Sequence, residues 1–299
     1  MRKLSRLILL SLVVLLLRAV FSLQRPFERA EADTNQYVYL PLIRAPSLNP
    51  KKGAFVTHGA CQDTSLLRAS WYFTNDVQPP AGCPQPDPRF VPTIQNADAM
   101  AQLPTAISHA QVSGWLKGFV EPNLPQQGNV HPDQAAELWR QIEIAADAAG
   151  GIKLVSPSPS QHDPGWLKDM VIEYQARYGR KPRFDAIAWN YYYVPDDGFS
   201  DTVMEFVTKR HNDALAYGYD VPIWIMEYSG GCWYAGKYNL EVMNTQTPMF
   251  NQTDWIGRYA WFASRIYGDE PWAPGWQSCS LVNPYTGALN PLGEIYAGY

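Results

Sequence analysis

Two stretches of this chain share one design, and that design narrows the folds open to it. Trp115-Leu116-Lys117-Gly118-Phe119-Val120-Glu121-Pro122-Asn123 is a short apolar run that stops at an acid followed by proline. Val221-Pro222-Ile223-Trp224-Ile225-Met226-Glu227-Tyr228-Ser229-Gly230-Gly231 is a β-rich run that also closes on one acid and turn residues. A run of this length bounded by proline or glycine reads as a buried parallel strand, with Pro122 ending the ladder where the carboxylate leaves the sheet. Two carboxylates at the carboxyl ends of two strands of one sheet can converge on one cleft, and such a pair is the minimal equipment for cleaving a glycosidic bond. For either acid alone, a loop hydrogen bond or a surface charge is the commoner role.

The rest of the chain repeats the strand signal and alternates it with longer amphipathic stretches, the pattern of βα units around a parallel sheet. Strands are predicted over 54–57, 70–74, 89–94, 115–121, 153–156, 184–192, 221–227 and 258–262. Helices are predicted over 64–69, 97–103, 132–149, after Asp163-Pro164, over 200–217 and over 291–298. His131-Pro132-Asp133 is a sound helix start, with proline at the first helical position and an acid beside it. Trp166, Leu167, Met170, Val171 and Tyr174 recur at helical spacing and form a core stripe. No helix is assigned between Glu227 and Arg258. Eight strands in 299 residues make a single compact (β/α)₈ TIM barrel, which takes about 250 residues, the economical fold. Strand phase at the first acid is open. If Val120, Gly118 and Leu116 face inward, Glu121 reaches the mouth through the strand-end turn; if Glu121 is in phase, Lys117 points inside, at the cost of a buried ammonium. The first is the expected arrangement.

Arg2, Lys3 and Arg6 precede an apolar run from Leu7 to Leu17 that Arg18 interrupts, the layout of a secretory signal and short for a spanning helix of about 20 residues. Residues 1–32 are therefore expected to be a signal peptide or an uncleaved anchor tethering the protein to a membrane, 33–50 a linker and 51–299 the domain. Both alternatives put the body outside the cytosol, secreted or on the surface. Cys61, Cys83, Cys232 and Cys279 suit two disulfides in that oxidising setting. Of the three pairings, Cys61 with Cys83 and Cys232 with Cys279 is preferred, because each ties neighbouring loops on one face. The five histidines are scattered without ligand spacing, so no metal and no cofactor is expected. A net charge of −4 without a basic patch argues against nucleic acid as a partner. A monomer is expected.

The ordered segments resemble a known family. Gly118-Phe119-Val120-Glu121-Pro122-Asn123, with the helix that follows from His131, resembles the acid/base segment of glycoside hydrolase family 128. Phe184 to Tyr192, Pro222 to Tyr228 and Arg258 to Phe262 resemble its later segments in order, and Lys51-Lys52-Gly53 and Ser70-Trp71-Tyr72-Phe73 its first ones. The resemblance implies a (β/α)₈ enzyme that cleaves β-1,3-glucan with retention, acting on a polysaccharide. By position it implies that Glu121 is the acid/base and Glu227 the nucleophile. Such an acid must start protonated, so Glu121 is expected to carry the raised pKa. Tyr192, Trp261 and Trp71, near strand ends, are the candidate sugar-stacking rings, whereas Trp189 and Trp224 are expected to face the helices. Two departures stand out. Val120 occupies the place of the family's usual asparagine, and Asn190 that of its frequent histidine. Asn190 could supply the lost polar contact to the sugar or satisfy a neighbouring backbone group. A different β-glycan as substrate, or a glycan-binding protein without turnover, are the alternatives.

Overall fold

Each short apolar run becomes a strand, and every strand pair in the structure is parallel. The structure is a computed structural model that describes residues 47–58 and 61–299. Among these, eight strands and seven α-helices form one mixed α/β domain. In chain order they are β1 (Gly53–Phe55), α1 (Gln62–Leu66), β2 (Trp71–Phe73), β3 (Phe90–Val91), α2 (Leu103–Ser113), β4 (Trp115–Lys117), α3 (Pro132–Ala149), β5 (Lys153–Val155), α4 (Trp166–Tyr178), β6 (Ile187–Tyr192), α5 (Val203–Ala216), β7 (Ile223–Ser229), α6 (Asn239–Gln252), β8 (Ile256–Trp261) and α7 (Pro291–Gly298). The expected signal or anchor segment at 1–32, and the linker as far as residue 46, lie outside the described residues. Asn49 already belongs to the body: its side-chain amide donates to Asn251 at 2.6 Å. Among the described residues no helix is long and apolar enough to cross a membrane.

The strands pair as β1-β2-β3, β4-β5 and β6-β7-β8. Isolated parallel bridges link these sheets in chain order, Thr93 to Lys117 between β3 and β4 and Val155 to Ala186 between β5 and β6. A third bridge, Lys52 to Tyr259, brings β8 back against β1, with the Tyr259 N–H donating to the Lys51 carbonyl at 2.9 Å. Each strand therefore has an inner side and a side under the helices. Leu116, Trp189, Ile225 and Tyr228 pack beneath the helices with Trp139 and Phe206. Phe55, Phe73, Val155, Ala188, Trp224 and Ala260 fill the inner side. Trp189 thus faces the helices as expected, but Trp224 does not. It lies inside, at 5.4 Å from Trp71 and with the Arg258 guanidinium 4.4 Å from its ring.

α3 shows why the helix signals were readable. Pro132 begins it, Asp133 favours its positive end, and Ala135, Ala136, Trp139, Ile142 and Ala146 form one buried face. Burying such side chains contributes about 1.5–3 kcal/mol for each large one. α6 carries no such signal. Its sequence is rich in Asn and Thr and contains Pro248, so it is held by Val242, Met243 and Phe250 packing against the strands rather than by propensity.

Candidate active site

The inner side opens at the carboxyl ends of the strands into a groove of about 720 Å³ that both acids line. Glu121 and Glu227 are 8% and 4% exposed, so each carboxyl is largely dry yet reachable from the groove. They arrive there by different backbone devices.

β4 ends at Lys117, before the acid. Gly118 then turns toward the helices, where a Cβ would come within 2.5 Å of the Trp139 ring, and Phe119 packs in the helix-side core. Val120 and Glu121 both line the groove, with Glu121 in the left-handed region at φ 41°. Neither strand phase considered above is realised whole. The expected turn does deliver Glu121 and Val120 does face inward, but Leu116 and Gly118 face the helices and Lys117 points inside. The reason is that the alternation breaks after Lys117, so no single phase runs from 116 to 121.

On β7 the register slips. Trp189 pairs with Ile225, and the next pair is Asn190 with Glu227, leaving Met226 without a partner. This bulge lets two successive side chains, Met226 and Glu227, turn inward, a common way of re-aiming a group beside a site. On β6 alternation is regular: Asn190 and Tyr192 face inward while Trp189 and Tyr191 face the helices.

These groups join in one network. The Tyr192 hydroxyl donates to Glu227 Oε2 at 2.6 Å, and the Asn190 amide donates to Glu121 Oε1 at 3.3 Å. Tyr192 is itself held by Gln161, whose side chain donates to the Tyr192 carbonyl at 3.0 Å and accepts from its N–H at 3.1 Å. Asn190, expected to touch the sugar, is instead fully buried behind the groove lining and satisfies no backbone group, and its Oδ1 is buried without a partner among the described residues. Burial, and then the charge of Glu227, push the Glu121 carboxyl up to about 8. Burial raises Glu227 as well, but the short Tyr192 bond and the Lys117 ammonium oppose it. The site therefore holds one carboxyl that keeps its proton at neutral pH beside one whose ionised form is hydrogen-bonded, the pairing that acid–base chemistry on one substrate requires.

The aromatic wall differs from the one expected. Tyr192 lines the groove, but Trp71 and Trp261 do not. Trp71 is 2% exposed at the start of β2, and its indole donates to the Lys51 carbonyl at 3.1 Å. Trp261 is fully buried on the helix side against Tyr228, its indole donating to the Cys279 carbonyl at 2.9 Å. The residue after it, Phe262, faces the groove instead, because Arg258 and Ala260 are the inward residues of β8. Three loop tryptophans complete the wall, Trp233 after β7 and Trp272 and Trp276 after β8. Trp233 stands 5.5 Å from Tyr192 and 5.3 Å from Trp276. Cys232 and Cys279 join these two loops, with Cα atoms 5.3 Å apart, and Cys61 and Cys83 pair at 5.4 Å. Both are the preferred pairings. A clue to the missed rings lay in the sequence: Cys232-Trp233 and Pro271-Trp272-Ala273-Pro274-Gly275-Trp276 put large rings in turn-rich segments, where a core role is costly to arrange. Among the described residues no cluster of His, Cys, Asp or Glu is placed to hold a metal ion.

A parallel α/β domain with two buried acids facing one groove, one in the turn after β4 and one near the end of β7, is the arrangement of a glycoside hydrolase, and the chain belongs to the glycosyl hydrolase catalytic core family, whose model matches residues 54–296. More particularly, it is similar to solved structures of glycoside hydrolase family 128. One is the subgroup II endo-β-1,3-glucanase of Pseudomonas viridiflava, at 24% identity and a TM-score of 0.65, covering 83% of this chain and 96% of that one. A second is a mutant subgroup I endo-β-1,3-glucanase of Amycolatopsis mediterranei in complex with laminaripentaose, at 25% identity and 0.61, covering 83% and 98%. A third is the subgroup III curdlan-specific exo-β-1,3-glucanase of Blastomyces gilchristii in complex with glucose, at 18% and 0.66, covering 85% and 100%. No curated protein matches the chain.

Proposed function

We propose that the protein is a retaining endo-β-1,3-glucanase, secreted or held at the cell surface and acting as a monomer, in which Glu121 is the acid/base and Glu227 the nucleophile. The eight strands are read as a closed (β/α)₈ barrel, supported by the bridges that link them in chain order and return β8 to β1. The single observation that carries the functional reading is the unequal environment of two carboxyls in one groove. Glu121 is pushed up by burial and by its neighbour, while Glu227 accepts the Tyr192 hydroxyl at 2.6 Å. The laminaripentaose complex of the Amycolatopsis enzyme supports a β-1,3-linked substrate.

In the first step a Glu227 oxygen attacks the anomeric carbon while the Glu121 proton passes to the leaving glycosidic oxygen. The C–O bond breaks and a glycosyl ester forms on Glu227. In the second step ionised Glu121 takes a proton from water, the water oxygen attacks the anomeric carbon, and Glu227 leaves as carboxylate. The product keeps the β configuration. Tyr192 stabilises the carboxylate at the start and end of the cycle and releases part of that bond when the ester forms. Asn190 keeps Glu121 oriented through its amide hydrogen bond. Val120 offers only apolar surface where the resemblance places an amide, which favours testing other β-glycans beside laminarin.

Incubation with laminarin and a panel of β-1,4 and β-1,6 glucans tests the reading. Reducing ends are expected from laminarin, with early products of mixed length and the β anomer formed first by proton NMR. First release of the α anomer would overturn the double displacement, and binding without release from any glucan would overturn the enzyme assignment.

The aromatic wall makes a second expectation. Trp272 is 46% exposed over the groove, so truncating it disturbs little of the core. Trp272→Ala is expected to raise KM for laminarin by about 5- to 30-fold, from the loss of about 1–2 kcal/mol of apolar stacking, with kcat nearly unchanged. An unchanged KM would remove this ring from the substrate path.

A further inference from the structure

The turns that follow β6 and β7 meet beside the groove in a contact that the proposed mechanism leaves without a part. Asp196 and Asp197 belong to one 3₁₀ turn, Pro195–Asp197, and Trp233 and Tyr234 to another, Cys232–Tyr234. The Trp233 indole N–H donates to Asp197 Oδ2 at 2.8 Å, and the Tyr234 hydroxyl donates to Asp197 Oδ1 at 2.6 Å. Asp196 closes the same clasp, accepting at Oδ2 from the Lys237 ammonium at 2.8 Å and from the Tyr238 hydroxyl at 3.0 Å. Asp197 and Trp233 both line the groove. Trp233 also stands next to Tyr192, the residue that donates to Glu227. Both aspartates are exposed, where water competes for the same donors and such bonds contribute little to stability. A role in orientation accounts for them better than a role in folding.

We infer that Asp197 is a positioning residue for the glucan, holding Trp233 through its indole N–H as a pre-set stacking surface for a sugar unit close to Glu227. The inference rests on the reading of the groove as a glucan site. An indole carries its one polar atom at the ring edge, off the axis about which the side chain turns, so a bond at that atom fixes the plane of the ring. The base of the side chain is tied as well, because Cys232 is joined to Cys279 and the Ser278 hydroxyl donates to the Cys232 carbonyl at 3.2 Å. Trp276 packs against the ring from the β8 side at 5.3 Å. A ring held at both ends receives the apolar face of a pyranose without the entropic cost of being ordered at binding. Each oxygen of Asp197 already accepts from an aromatic donor, so its effect passes through the rings rather than through a sugar hydroxyl.

The test uses the intact chain labelled with ¹⁵N at the indoles, with the Trp233 signal assigned by its loss in Trp233→Phe. Asp197 is exposed, so neither of its variants empties the core. Asp197→Ala is expected to move the Trp233 indole signal toward that of a water-exposed indole, and to raise KM for laminarin by about 3- to 10-fold with kcat within about two-fold of wild type. Asp197→Asn is expected to restore both, because its amide oxygen accepts from the indole and its NH₂ donates to the Tyr234 hydroxyl. Trp233→Ala raises KM by about 10-fold, and adding Asp197→Ala to it is expected to change KM no further. An indole signal unmoved in Asp197→Ala overturns the inference, and so does a moved signal with unchanged KM in a protein that cleaves laminarin. An equal KM effect with and without Trp233, or an Asn variant as weak as the Ala one, also overturns it, by showing that the carboxylate acts on the sugar directly. If the indole signal moves in a protein that neither binds nor cleaves laminarin, the clasp stands and the glucanase reading falls.

Discussion

Replacing Glu227 by Gln lowers turnover of laminarin by on the order of 10⁴-fold or more and leaves glucan binding within a few-fold of wild type. The side chain keeps its size and its place beside Tyr192, so the groove and its rings are preserved, but an amide cannot form the glycosyl ester. The acid-catalysed path with water attacking directly is all that remains. Binding is read by calorimetry with laminari-oligosaccharides and turnover by reducing-end release. Activity within ten-fold of wild type would exclude Glu227 as nucleophile, whatever the fate of the fold. The Gln side chain can still accept from the Tyr192 hydroxyl, and a melting transition and circular dichroism spectrum recorded beside wild type separate loss of chemistry from loss of structure.

Glu121→Gln is expected to lower kcat/KM on laminarin by about 10²- to 10⁴-fold and to change the shape of the pH profile. In the wild type Glu121 must be protonated, and it is pushed up to about 8, so activity falls as pH rises through that value. The amide variant has no proton to lose there, and its alkaline limb disappears. An aryl glucoside with a good leaving group needs little help from an acid, so the first step on such a substrate loses much less. Stability supplies a sign check. A carboxyl whose folded pKa lies above its unfolded value contributes stability that is complete below the unfolded value, near 4, and is lost as pH rises toward the folded one. Across that window wild type loses stability relative to Glu121→Gln by about 1.4 kcal/mol per pH unit, read from chemical denaturation at pH 5 and pH 8. Equal pH dependence in the two proteins would mean that Glu121 is not the group held protonated.

Both predictions concern residues picked out by sequence, and the reason lies in what a strand end looks like as sequence. An apolar run cut by Glu-Pro or closed by Glu-Tyr-Ser-Gly is a local signal, complete within ten residues. So are the helix start at His131-Pro132-Asp133 and the core stripe of α4. The same is true of cysteines spaced to tie neighbouring loops, whose preferred pairing places Cα atoms 5.3 and 5.4 Å apart.

What the local signals could not reach was decided by pairing between distant segments. The inward turn of Lys117 follows from β4 stopping at that residue, and Glu121 comes back into the groove through a backbone at φ 41°. A period-two reading assumes one unbroken phase and fails where the strand breaks. The bulge at Met226 is a break in register between β7 and its neighbours β6 and β8, and neither partner is visible from the β7 segment itself. Trp71 and Trp261 have the composition of stacking rings, yet register put one at the amino end of its strand and the other beneath the helices. Phe262 and the loop rings Trp233, Trp272 and Trp276 took that place, two of the loops being drawn together by Cys232 and Cys279. The chain's local chemistry thus determined roughly where strands and helices fall and which residues carry the acids, although the two acid-bearing strands end at Lys117 and Ser229 rather than at the acids themselves. Only the folded sheet decided which side chains face the groove, because facing is set by register with neighbours far away in sequence.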